Sequence, residues 1–246
     1  MNPQGQANTL ALWILRREIA IMSMPLLHRK VTPGRHESVM VGAQALPGEL
    51  DIPANAIGIV LLVEDGEGSW SSQRKLFVTQ VLRSYGLGTL LLDLLAERAS
   101  LDPRPGFDIP LLGVRVREAL TWLGQRNDLA GVPLGLFGAG DGAVAVLQAA
   151  ACLPDLVGAV VSCGGRPDLA GAHLSRLRSP TMLIVEAEKF EVLEFNRSVL
   201  RAIQCEKKIE VIPREGGWLE EPDSLGIVAG LAGHWFEQHF SRQQMA

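Results

Sequence analysis

From Glu37 onward, short β-prone apolar runs alternate with longer stretches of helical periodicity, and Gly, Pro and Asp punctuate the changeovers. The runs at 57–63, 87–93, 132–138, 157–162, 181–185 and 208–213 predict strands, and their unbroken apolar character suits burial on both faces. The stretches at 73–85, 111–124, 141–152, 191–203 and 222–240 predict helices. The last opens on Pro222 behind Glu220 and Glu221 and carries Leu225, Val228, Leu231, Trp235 and Phe236 on one face, a stripe made for packing. Two short leading segments, 38–43 and 50–52, flank Pro47-Gly48 and predict an antiparallel hairpin turning at that dipeptide. The alternation implies an α/β fold: a mostly parallel, doubly wound sheet flanked by helices, whose sites lie beyond the C-terminal ends of the strands.

Length and charge narrow this picture. A chain of 246 residues accommodates one such domain, expected at 37–240 between an N-terminal extension, 1–36, and a tail, 241–246. There is no internal repeat or low-complexity segment. A net charge of −4 argues against nucleic acid as a partner, because phosphate backbones are held mainly by Lys and Arg. Cys152, Cys163 and Cys205 have neither metal-ligand nor disulfide-framework spacing and read as reduced thiols, which places the protein in the cytoplasm.

The extension has an apolar stretch, 9–15, followed by Arg16 and Arg17, the reverse of the order in a secretory signal and too short to span a bilayer. Two readings of 10–27 stay open. It is a helix that docks its apolar face on the domain or a partner, giving a scaffold subunit that oligomerises through this segment. Alternatively it is a leader, with Met22 or Met24 as the start in place of Met1.

Chemistry concentrates at 134–146, LGLFGAGDGAVAV, which reads as a strand, a sharp turn of small residues and a helix. In α/β-hydrolases this is the nucleophile elbow, where a strained turn lifts a serine above the sheet. With 90–95 (LLLDLL), 107–109 (FDI), 161–169 (VSCGGRPDL), 180–185 (PTMLIV) and 220–222 (EEP), the chain resembles the dienelactone-hydrolase-like α/β-hydrolases over 37–240. The resemblance implies the α/β-hydrolase fold without a large lid.

Residue by residue, it also implies a loss. The family's elbow serine position holds Gly140, the position of its acid holds Lys189, and the position of its histidine holds Gly217. An ammonium does not orient or stabilise an imidazolium as a carboxylate does. The loop expected to help form the oxyanion hole reads EDGEGS at 64–69, and carboxylates beside a developing oxyanion oppose it. The expectation is a catalytically inactive protein, without cofactor, that binds a partner protein or a small apolar ligand. Its candidate binding residues are Glu64, Asp65, Trp70, Asp141 and Trp218, the two tryptophans either filling an emptied cleft or forming an aromatic wall.

Two rival readings use the same residues. Apart from Glu186 or Glu188 taking over the role of the lost acid, shifting the elbow by one makes Asp141 the nucleophile of an active hydrolase, as in dehalogenases and epoxide hydrolases, through a covalent ester. Such an ester still needs a base, and none of His28, His36, His173, His234 and His239 follows the final strand. The plainer role for Asp141 is a helix-start carboxylate. Cation binding by Glu64, Asp65, Glu67, Asp141, Glu186, Glu188 and Glu215 lacks any diagnostic spacing, so no metal site is expected and these residues read as solvated acidic loops. Cys163 is expected to be inert.

Overall fold

The computed structural model describes residues 33–63, 72–92, 94, 109–212 and 222–244. The elements are β1 (Gly34–Val41), β2 (Leu46–Pro53), β3 (Gly58–Val63), α1 (Ser72–Ser84), β4 (Leu87–Leu92), α2 (Ile109–Gly124), β5 (Leu134–Ala139), α3 (Asp141–Cys152), β6 (Val157–Cys163), β7 (Thr181–Glu186), α4 (Phe190–Ala202), β8 (Lys207–Ile212) and α5 (Pro222–Gln244). Two 3-10 segments, Asn127–Leu129 and Pro167–Arg176, complete the order; the sequence pattern did not announce them. Gly34, Arg35 and His36 belong to β1, and α5 runs past Phe240.

The strands form one sheet in the order β1-β2-β4-β3-β5-β6-β7-β8. β2 is antiparallel to both β1 and β4, and the remaining pairs are parallel. β3, β5, β6 and β7 are buried along their whole length, as their continuous apolar runs require. Alternation then sends Ile59, Leu61 and Val63 of β3 into one core and Val60 and Leu62 into the other. The first core is closed by α2, α3 and α4, through residues such as Leu120, Leu147 and Val199. The second is closed by α1 and α5, through Val78, Leu82, Val228, Phe236 and Phe240. Full burial of one such side chain is worth roughly 1.5–3 kcal/mol.

The opening hairpin forms, but it turns elsewhere. Pro47-Gly48 lies inside β2, and the chain reverses at residues 42–45, where the Ala45 amide donates to the Gly42 carbonyl at 3.2 Å and both residues have positive φ. Proline is tolerated there because β2 pairs with β4 only from Gly48 to Asp51, so Pro47 and Pro53 flank the stretch that is bonded on both sides. Gly48 serves packing: a Cβ there would stand 2.7 Å from the Leu91 carbonyl oxygen of β4.

Among the described residues no helix is long and apolar enough to cross a membrane. The N-terminal segment 1–32, with its helix, assembly and start-site readings, lies outside the described residues, as do the EDGEGS loop, Trp70, Glu215, Gly217 and Trp218.

Candidate functional site

β5 leads into α3 through a single residue. Gly140 has φ 58° and ψ −123°, a conformation cheap for glycine and strained for any side chain with a Cβ. Its amide donates to the Cys163 carbonyl at the end of β6 (3.2 Å), and its own carbonyl accepts from Ala143 of α3 (3.2 Å). Small size recurs on the other side of the turn. Gly165, at φ 65°, lies so close that a Cβ would come within 2.8 Å of the Gly140 carbonyl carbon. The loop after β6 is thus seated on the turn after β5, at the C-terminal edge of the sheet.

Asp141 opens α3 and is half-buried, its carboxylate at the positive end of the helix dipole. Ala45 is the one non-glycine residue with positive φ among the described residues, so Asp141 has ordinary backbone geometry. The elbow conformation belongs to Gly140.

Of the two carboxylates proposed as substitutes for the acid, β7 carries Glu186 inside and leaves Glu188 outside. Glu186 is 4% exposed and pairs with Lys189 Nζ at 2.9 Å, while Glu188 is exposed in the turn before α4. Lys189 caps the N-terminus of α4, where a cation opposes the helix dipole; Glu186 offsets it. Cys163 ends β6 on the same edge, fully buried. Burial pushes its thiol well above the ordinary value, and the negative charge of Glu186 pushes it further, so it stays protonated and a poor nucleophile.

The described histidines supply no base beside Gly140 and Asp141. His36 of β1 lies 3.0 Å from Glu49. His173 holds the Ala170 carbonyl within its own 3-10 segment (3.1 Å). His239, buried in α5, engages the Trp235 carbonyl (2.7 Å) and lies 3.2 Å from Glu206, which precedes β8 and therefore sits at the opposite, N-terminal edge of the sheet. His234 is exposed on α5 and lines a cavity at that same far edge. Among the described residues no three His, Cys, Asp or Glu side chains are grouped so as to hold a metal ion.

One feature of this edge escaped the sequence reading. Arg166, next to Gly165, makes a two-pronged pair with Asp168 (2.9 and 2.8 Å), and its guanidinium lies 3.9 Å over the ring of Phe195 in α4. Leu169 and Phe190 beside it are 50% and 68% exposed. The Arg-x-Asp spacing signals a local pair, but only the packing of α4 against the 3-10 segment brings Phe195 beneath it.

Comparison with known proteins places this geometry. The dienelactone hydrolase of Anabaena variabilis is 40% identical, with a TM-score of 0.75 over 84% of this chain and 98% of that one. The chain belongs to the dienelactone-hydrolase-like family of α/β-hydrolases. An esterase domain from a Rhodothermus marinus protein, 16% identical, shares the fold of this dienelactone-hydrolase-like chain with a TM-score of 0.66 over 85% of this chain and 100% of that one. No family model matches the chain. Proteins from two strains of Mycobacterium tuberculosis, provisionally named phosphoribosyl transferases, are 41% identical over 209 residues, 84% of this chain and 47% of theirs. The chain spans about half the length of these curated relatives.

Proposed function

We propose that this dienelactone-hydrolase-like protein is catalytically degenerate and works by binding, as the companion of a second protein or domain. The observation that carries this reading is Gly140 at the apex of the strand-turn-helix, where the family resemblance calls for the nucleophilic serine. Glycine keeps the backbone path and offers no hydroxyl. Lys189, at the position of the acid and neutralised by Glu186, supports it further, as does Gly217 in place of the base. Loss of a nucleophile from a Ser-His-Asp site lowers turnover by roughly 10⁴- to 10⁶-fold, and loss of its partners leaves little to recover.

A partner is favoured over a small apolar ligand by the relatives' architecture. In the mycobacterial proteins a region similar to this chain accounts for 47% of the length, and the phosphoribosyl transferase name has no counterpart in an α/β-hydrolase fold. We read that name as belonging to the remaining half, and a phosphoribosyl-transferase-type protein as the companion, joined in cis or in trans. Exposed Leu169 and Phe190 lie on the edge that carries Gly140.

Native mass spectrometry of the protein purified from its own cells tests both parts, because a companion chain or a retained small molecule adds its own mass. Labelling by a fluorophosphonate probe, or ester hydrolysis abolished by one substitution, would overturn the degenerate reading. The rival with Asp141 as nucleophile requires a trapped ester on Asp141 after exposure to a haloalkane or epoxide; its ordinary helix-start geometry speaks against this. Truncation before Met22 separates assembly through the N-terminal segment from assembly through the domain.

A further inference from the structure

Among the described residues β8 is the last strand of the sheet. Its neighbour β7 is buried throughout, whereas Lys207, Lys208 and Val211 of β8 are exposed and Ile209 and Glu210 half-buried. Such an edge presents a row of backbone donors and acceptors ready to pair with another strand. Alternation puts Lys208 and Glu210 on one face, with Nζ and Oε1 2.7 Å apart. That is the α5 face, since Ile212, next in the same alternation, packs in the core closed by α1 and α5; at the start of the strand Lys207 and Lys208 both line a cavity of about 230 Å³ with Leu231, His234, Trp235 and Gln238 of α5. Lys207, Ile209 and Val211 point to the other face, where Ile209 packs on the core beneath α2, α3 and α4.

We propose that β8 is a self-association edge, at which two copies of the chain pair antiparallel about a two-fold axis through Ile209. Symmetry and charge select this register. A two-fold axis perpendicular to the sheet leaves each face on its own side, and opposed residues of an antiparallel pair point to the same face, so the axis must pass through a residue. At Lys207 or Lys208 it sets lysine against the same lysine, and at Glu210 glutamate against glutamate. At Val211 it leaves Lys207 and Lys208 beyond the end of the facing strand. At Ile209 each Lys208 faces the Glu210 of the other copy, Ile209 meets its own symmetry mate, and Lys207, whose ammonium donates to its own chain's Ile203 carbonyl, stands opposite the exposed Val211. Lysines on an edge usually deter pairing. Here the lysines and Glu210 together favour the register at Ile209, and the resulting four-charge array joins both copies' existing Lys208–Glu210 pairs.

Sedimentation velocity on the full-length protein over a concentration series tests the edge. The wild type sediments as a reversible monomer–dimer system that weakens with added salt, because the opposed charges lie at the surface. K208E and E210K each turn two attractive crossings into repulsive ones and weaken the dimer by about tenfold to a hundredfold in Kd. The double exchange K208E/E210K restores the homodimer, and mixing the two single variants restores a heterodimer, which also shows that each variant is folded. A wild type that stays monomeric throughout the series overturns the proposal. So does a dimer indifferent to both single substitutions, which assigns assembly to another surface.

Discussion

Gly140→Ser reinstates the residue that the family carries at the elbow, and the structure predicts that it will cost stability without conferring activity. The backbone at φ 58° and ψ −123° is open to glycine but strained by about 1–3 kcal/mol for a residue with a Cβ. Loss of glycine's freedom in the unfolded chain returns about 0.4–1 kcal/mol. The net destabilisation is about 1–2 kcal/mol, which for a domain of this size lowers Tm by about 2–8 °C. Gly140→Ala should behave alike, because the strain arises from the Cβ and not from the hydroxyl. Differential scanning calorimetry of the three proteins supplies the stability, and fluorophosphonate labelling with an activated ester supplies the chemistry. A Gly140→Ser protein as stable as wild type would refute the strain argument. One that gains rapid labelling would refute the degenerate reading, since an activated serine needs a base and an oxyanion hole already in place.

Gly165→Ala combines positive φ with a Cβ 2.8 Å from the Gly140 carbonyl carbon; it should cost about 2–4 kcal/mol, seen as a lower urea midpoint at unchanged slope. In the native protein at neutral pH, iodoacetamide should modify exposed Cys152 well before buried Cys163, whose thiol is held protonated; peptide mass spectrometry reads the order, and early modification of Cys163 contradicts the burial. Arg126 donates to Asp128 (2.6 Å) and to Glu37 (2.9 Å), and Arg35 reaches the same Asp128, holding the Asp128 carboxyl well below its ordinary value. A carboxyl with a depressed folded pKa stabilises the fold above its unfolded pKa, near 4, and loses that contribution as pH falls. Chemical denaturation between pH 6 and about 2.5 should therefore show a steeper loss for wild type than for Asp128→Asn, and equal slopes would remove the pair from the account.

What the sequence determined by itself was the order of the strands and α-helices and the joint at Gly140. A strand buried on both faces must be apolar at every position, and a helix lying on a sheet must be apolar every third or fourth, so β3, β5, β6, β7 and the α5 stripe all announced themselves in local pattern. The tertiary structure decided what depends on neighbours distant in the chain. Pro47-Gly48 has the composition of a turn, yet it became strand because β4 pairs alongside only from Gly48 and crowds that residue. Glu186 and Glu188 are alike in sequence; the strand's last step puts one inside against Lys189 and the other in water. Gly165 against Gly140, Phe195 under Arg166 and the open side of β8 follow from the order in which parallel crossovers stack the strands. Local periodicity records how deeply each residue is buried, but not against what.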